Sequence, residues 1–415
     1  MIDKKPAAIA KCLDTHDVIA CVNFARDHEV LISVRGGGHN YAGKAVCDGG
    51  LVIDLSRMKK IGVNPDNRTA EAQPGLRLGE FDRETQRSGL ATTLGVNTDT
   101  GISGLTLGGG YGWLGGKYGL ACDNLIGAEI VTADGKVLEC DEDRNADLFW
   151  GLRGAGANFG VVTKLRYKLH PLIRVVGGLI IHPLNKDTLE FFDEFSNDAP
   201  DELTTIGAVL TAPDGKPAFG TLVCFCGNEA EGWKILEPLA KFEKPIANFI
   251  QPREYLDMQT QLDAAWPPGR RYYNKAHNVR RLNDGAVQTI LRFSSMLPTV
   301  LSNIAMQQLH GAASRVSPTA TAFPHRYNHF TILAHPATDI PSEDQKIIRW
   351  SKECWEALQP FVEKAVYVNV LEDALEEGEM RVREAYGPNY DRLVGLKRKY
   401  DPENLFRQNS NIKPA

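Results

Sequence analysis

The sequence predicts a mixed α+β protein of more than one domain, and three observations lead there. At 415 residues the chain exceeds what one core usually serves, at ~150 residues per domain. Short apolar runs alternate with segments of helical period along its whole length. Glycine is unevenly spread: 26 of 39 lie between Gly36 and Gly160, a density that means tight turns or backbone pressed closely against something. A composition of 43% hydrophobic and 24% charged residues excludes a disordered or collagen-like chain.

Taken in order, residues 16–29 place Val18, Ile19, Val22 and Phe24 near helical spacing, and the strand VLISV (30–34) runs straight into Arg35-Gly36-Gly37-Gly38-His39. A second strand is expected at 50–56, a third at 69–75, and a helix from Leu78 to Ser88. Residues 125–139 read as a hairpin turned at Asp134-Gly135, because Asp-Gly supplies the positive φ such turns need. Asp147–Trp150 reads as a short helix, and 160–169 as a strand. After His170-Pro171 glycines thin out. Helices are expected at 187–197 and 342–358, and alternating strands at 205–211, 219–226, 329–335 and 365–371. The change of texture puts a boundary near residue 172, and the tail from Arg381 reads as helix followed by extended chain.

Several functions are excluded at this stage. A net charge of −5 argues against a nucleic-acid partner. No apolar run approaches the ~18 residues of a membrane span, so no membrane partner is expected. The eight cysteines form no CxxC pair and no Cys/His cluster at zinc spacing, so they read as free thiols and no metal site is expected. With no signal peptide recognisable, the expectation is a cytoplasmic protein. Neither familiar glycine code fits: there is no GxxxxGK[ST], and Gly154–Gly160 leads into a strand where a dinucleotide fingerprint leads into a helix. The glycine density leaves two readings, a loop-rich domain or a backbone cradle around a large anionic cofactor.

Five segments in fixed order favour the cradle: RGGGHNYAG (35–43), DGGLVIDLSRM (48–58), GVNTDTGISGLTLGGGYGWLGGKYGLACDNL (95–125), DLFWGLRGAGANFGVVT (147–163) and YGPNYDRLVGLKRKYDPENLFRQNSNI (386–412). Together they closely resemble the berberine bridge enzyme-like FAD-linked oxidases of the para-cresol methylhydroxylase / vanillyl-alcohol oxidase superfamily. The resemblance spans nearly the whole chain and is nearest to short bacterial members. It implies a FAD-binding domain of two subdomains, from residues 1–172 with 381–415 returning to it. A substrate-binding domain, 173–380, is an antiparallel sheet backed by helices. Relatives carry several tens more residues before the first helix, so a trimmed first subdomain is expected.

The resemblance also assigns residues. Arg35, Gly36, Gly37, Gly38, Asn40 and Gly43 match the pyrophosphate loop, and His39 the histidine bonded covalently to the flavin 8α-carbon. Asn97 stands where many relatives attach a second time through cysteine, so one covalent bond is expected. Thr100 matches the position that governs dioxygen access, and its small branched side chain implies an oxidase. Gly101, Ser103, Gly104, Gly108, Gly109, Gly110 and Gly112 would line the ribityl and diphosphate chain. Gly160 and Val162 would lie against the adenine, and Asn409 and Asn411 in the returning tail. Tyr367 and Asn369 match a Tyr-x-Asn strand facing the isoalloxazine, with Tyr386 a second candidate for the base, although relatives often carry that tyrosine where this chain has Ala385. Tyr111 and His325 are further candidates, and Asp123-Asn124 is expected to fix a turn. The implied activity is hydride transfer from a small organic substrate to FAD, with reoxidation by dioxygen. A dehydrogenase with another acceptor and a flavin carrier without turnover stay open, and the oligomeric state is unknown.

Overall fold

The computed structural model describes residues 2–212, 214–371 and 374–414. At its start Ala8–Lys11 and Ile32–Arg35 flank Leu51–Asp54 in a parallel three-stranded sheet. The two outer strands are joined by a crossover, the helix Thr15–Asp27, which buries Val18, Val22 and Ala25 along one stripe. Asp14 caps that helix by accepting from the backbone N–H groups of His16 and Asp17. The strand Ile32–Arg35 therefore delivers the triple-glycine loop at its carboxyl end.

An antiparallel five-stranded sheet follows, in the order Ile61–Asn64, Thr69–Ala72, Val161–Lys168, Leu125–Val131, Val137–Cys140. The Asp134-Gly135 turn is where the sequence puts it: Gly135 has φ +77°, and Asp134 accepts from the Thr132 hydroxyl at 2.6 Å. The expected short helix at 147 extends over Ala146–Ala155 and breaks at Arg153-Gly154, where φ is 137° at the glycine.

From Arg174 the chain builds a second, antiparallel eight-stranded sheet. Its order is Ala247–Asn248, Arg174–Pro183, Pro217–Phe225, Leu203–Thr211, Asn303–Leu309, His329–His335, Lys275–Val279, with Gln251–Glu254 also pairing Arg174–Pro183. Helices Lys186–Asn197, Asp284–Ser294 and Asp344–Leu358 cover one face. Phe192, Ile290 and Trp350 bury there against Phe219, Ile304, Phe330 and Ile332. Because side chains alternate along a strand, His329, Thr331, Leu333 and His335 are left to the opposite face. The mixture of helix with these sheets, and the antiparallel second sheet backed by helices, agree with the α+β class expected from the sequence.

One expectation needs correction. Residues 365–371 form no strand: the chain makes a 3-10 turn at Val368–Val370, closed by Val370 N–H to Tyr367 C=O at 3.0 Å. The tail forms the helices Ala374–Tyr386 and Tyr390–Tyr400. Leu393 and Leu396 share a core with Trp150 and Phe159, and buried Lys397 donates to Asn158 C=O, Phe406 C=O and Asp401 at 2.6–2.8 Å. Among the described residues no helix is long and apolar enough to cross a membrane. All eight cysteines are free, and among the described residues no His/Cys/Asp/Glu group could hold a metal.

Candidate active site

The first wall is the loop after Ile32–Arg35. Among the described residues, the N–H groups of Gly36, Gly37, Gly38 and His39 have no hydrogen-bond partner within the chain. Consecutive unpaired amides in a turn attract an anion. The loop is packed, not loose: a Cβ on Gly37 would collide with the Gly101 backbone, and one on Gly36 would lie 2.5 Å from Ser103 Oγ. Ser103 is already committed, donating to Pro74 C=O at 2.9 Å. Arg35 sits 3.6 Å from Asp54, and its guanidinium lies beside Gly38. Asn40 closes the turn, its side-chain oxygen accepting from Lys44 N–H at 3.0 Å and its carbonyl from Gly43 N–H at 3.0 Å. His39 is exposed, with Nε2 3.2 Å from Asp99 Oδ2.

The second wall, 97–112, is pinned from two sides. Leu78 and Gly79 N–H groups donate to Thr100 and Thr98 carbonyls at 2.9 Å. Asp263 accepts both the N–H and the hydroxyl of Thr98, at 2.9 and 2.5 Å. Asn97 is half-buried and its Nδ2 has no partner; Thr100 is half-buried beside it. Glycines that look alike in sequence then part ways. Gly108, Gly109, Gly110 and Gly112 are hemmed in by Asn369, Phe323, Ala121 and Leu94, whereas a Cβ on Gly104 would meet nothing within 4 Å. Close packing accounts for the first four as glycines, whereas Gly104 presents an open face that can border a ligand.

Beyond the glycines stands an aromatic cluster. Tyr367 oxygen accepts from Gly110 N–H at 2.9 Å and from Asn369 Nδ2 at 2.7 Å. Asn369 Nδ2 also donates to Leu105 C=O at 3.0 Å. Burial pushes the Tyr367 phenol up to about 12 even though those two donors pull it down. Tyr111 stacks on Tyr367, and its hydroxyl meets His329 Nε2 at 3.0 Å. His329 Nδ1 lies 2.6 Å from Tyr327 C=O. A carbonyl only accepts, so Nδ1 carries the hydrogen and Nε2 accepts from Tyr111. Burial pushes the His329 imidazole down to about 3, which keeps it neutral and makes it an orienting acceptor for the Tyr111 hydroxyl.

Tyr386 is set apart. It is buried in the core with Leu393 and Phe159, its hydroxyl 3.4 Å from Asn158 Nδ2. His325 is also buried, with Nε2 unpartnered and its imidazole pushed down to about 4 by burial. Asp123 does fix a turn, accepting from Leu120 N–H at 2.8 Å and pairing with buried Arg326 at 2.7 Å. Asn124 donates to Tyr118 and Leu120 carbonyls at 2.9 Å. Gly160 opens the strand Val161–Lys168, and Val162 is buried in the main core. In the tail, Asn409 Nδ2 donates to Ala157 C=O at 2.7 Å, leaving Asn409 and Asn411 each with an unpartnered Oδ1. The Trp266–Arg271 segment is anchored, because Trp266 stacks on His335 at 4.1 Å and His335 meets Tyr41 edge-on at 5.5 Å.

Sequence reasoning missed Asp99 and His329. Asp99 lies 60 positions from its partner, and nothing marks one histidine of ten as facing Tyr111. The unpaired amides, the open face at Gly104 and the orphaned amide atoms of Asn97 and Asn411 fit a large, polar, anionic cofactor.

Comparison with known proteins agrees. A family model described as "FAD binding domain" matches residues 6–141, and one described as "Berberine and berberine like" matches 366–413. An FAD-linked oxidoreductase of Dictyostelium discoideum is 33% identical, over 99% of this chain and 89% of that protein. (R)-6-hydroxynicotine oxidase of Paenarthrobacter nicotinovorans is 30% identical, over 99% of this chain and 92% of its own length. The crystal structure of 6-hydroxy-D-nicotine oxidase from Arthrobacter nicotinovorans superimposes with a TM-score of 0.90 at 28% identity, covering 99% of this chain and 93% of that one.

Proposed function

Because the chain belongs to the berberine bridge enzyme-like FAD-linked oxidoreductases, we propose that it is an oxidase. Its substrate would be a small alcohol, amine or activated C–H compound, its terminal acceptor dioxygen, and its second product hydrogen peroxide. The observation that carries the reading is the doubly donated oxygen of Tyr367 beside Tyr111, at the foot of the glycine segment.

FAD, when bound, accepts the hydride. Gly36 to His39 would hold the diphosphate through backbone N–H groups, with Gly104 beneath the chain that joins it to the ring. Asn97, Asn409 and Asn411 would use their unpartnered amide atoms on the cofactor's polar edges. His39 is proposed as the covalent attachment point, and Asn97 offers no thiolate for a second. Tyr367 is the group best equipped to take the substrate proton, since two N–H donors already stabilise a negative oxygen there. Tyr111, held by His329, is placed to position the substrate's heteroatom. Asn369 holds the Tyr367 oxygen and ties it to Leu105, so its part is positioning. Tyr386, with its hydroxyl toward Asn158, supports a wall better than it supports proton transfer. Residues 1–172 with 381–415 are proposed as the flavin-holding unit, and the contacts of Lys397 and Ile412 with Asn158 support that division.

The test has two halves. Anaerobic addition of sugars, amines and secondary alcohols should bleach the flavin with at least one member of the panel, and air should restore the colour with release of peroxide. Reduction without rapid recolouring would assign a dehydrogenase. Thr100→Leu should slow recolouring and spare bleaching; equal slowing of both would deny Thr100 the gating role.

A further inference from the structure

We propose that Asp99 is the positioning residue that orients His39 for attachment to the flavin, so that the bond forms through Nδ1. This rests on the covalent reading above. His39 Nε2 lies 3.2 Å from Asp99 Oδ2, although 42% of the histidine side chain is exposed and 24% of the aspartate. Two such side chains on mobile loops would meet only by chance. Here the loops are locked: Gly37 and Gly101 are packed backbone against backbone, with no room for a Cβ on either. Asp99 itself sits between Thr98, held twice by Asp263, and Thr100, whose carbonyl is held by Leu78 N–H. The meeting is therefore set by backbone geometry.

The contact is an ion-pair approach at 3.2 Å; a carboxylate only accepts hydrogen bonds, so its charge favours the tautomer with hydrogen on the nitrogen that faces it and the lone pair on Nδ1. An acceptor behind Nε2 also stabilises the positive charge that the ring gains as Nδ1 bonds. In the attachment His39 Nδ1 forms a bond to the 8α-carbon and one 8α C–H bond breaks, its proton leaving to solvent. The Nε2 proton passes towards Asp99 and on to solvent. Two electrons are left behind, and dioxygen, the acceptor already proposed, takes them with the two protons as hydrogen peroxide.

The test reads the linkage and not turnover. Full-length protein, wild type and Asp99→Asn, is produced without flavin, mixed with FAD in air, and sampled over time. Denatured samples are scored by in-gel flavin fluorescence and intact mass. Wild type should gain one FAD, and Asp99→Asn should bind FAD reversibly but attach it at least tenfold more slowly, with Asp99→Glu partly restoring the rate. The flavin peptide of the wild type, examined by NMR, should carry its bond at Nδ1. Attachment of Asp99→Asn at the wild-type rate, a bond at Nε2, or failure of Asp99→Asn to bind FAD at all would each overturn the role given to Asp99. A wild type that releases its flavin on denaturation would overturn the covalent reading itself, and this inference with it.

Discussion

The rings of Tyr111 and Tyr367 lie face to face, centroids 4.2 Å apart and planes within 16° of parallel. One hydroxyl is held by a histidine, and the other is fixed by two N–H donors. Two chemically identical side chains thus receive different tasks from their surroundings.

Tyr367 should govern the pH dependence of flavin reduction. With its phenol pushed up to about 12, the ionised fraction grows tenfold per unit at working pH, so the reductive rate should climb with pH and not level off below about pH 10. Tyr367→Phe should flatten the profile and slow reduction by roughly 10²–10⁴-fold. Asn369→Leu removes one of the donors that pull the phenol down, so ionisation moves to higher pH and the rate at pH 8 falls. Anaerobic stopped-flow reduction against pH checks all three.

Gly104→Ala should separate cofactor binding from folding. The position is exposed, within the helix Ile102–Leu107, and open on the side a Cβ would occupy. Alanine there should stabilise the flavin-free protein by ~0.5–1 kcal/mol, the helix-propensity difference, while weakening FAD. Gly37→Ala should do otherwise, costing ~1–3 kcal/mol through overpacking because its Cβ meets backbone that cannot yield. Thermal melts of both apoproteins and FAD titrations give the contrast.

Asp82 should make the protein less stable in alkali. It is fully buried, its one hydrogen bond comes from Gln259 Nε2 at 2.7 Å, and Asp82 Oδ1 and Gln259 Oε1 are both unpartnered. Burial pushes the carboxyl up to about 7. The unfolded chain ionises near 3.9, so the fold retains a proton that the unfolded state releases. Stability is complete below about pH 4 and declines as pH rises through 7, by on the order of 4 kcal/mol. Asp82→Asn can satisfy both orphaned atoms without charge. Its Tm should exceed the parent's at pH 8, and the gap should narrow at pH 5.

Lys397→Met should cost about 3–5 kcal/mol in chemical denaturation, because it leaves Asp401 buried without its partner. Both side chains are fully buried. Asp401 keeps the N–H groups of Leu405 and Phe406, so the loss should stay nearer the lower figure.

The sequence and structure agree best where one local pattern decides. The helix Thr15–Asp27, the Asp134-Gly135 hairpin and the strand His329–His335 each follow from period or turn chemistry within a dozen residues. The segment 365–371 alternates like a strand, yet Tyr367 and Asn369 must both reach the 102–110 segment while Asn369 also reaches Tyr367. The turn at Val368–Val370 permits that, and no local rule foretells a demand arising over 250 residues away. The glycine run was legible as dense backbone contact. Which glycines touch protein and which stand open was not, because that depends on the residues packed opposite. Asp99 and His329 were hidden for the same reason: each has its meaning only through a partner elsewhere in the chain.

Asn158 is where the order of synthesis meets the fold. Its side chain and carbonyl bond Tyr386, Lys397, Ser410 and Ile412, the nearest of them 228 residues later in the chain. The glycine loops emerge first but wait for more than two hundred residues before this corner can close. A nascent chain can therefore form its first sheet early, yet it cannot finish the wall beside Asn158 until the segment from Tyr386 to Ile412 has been made. A chain cut short before Tyr386 is left with Phe159 and Trp150 without the tail residues that share their core. Such a product would present itself to quality control as colourless, sticky protein.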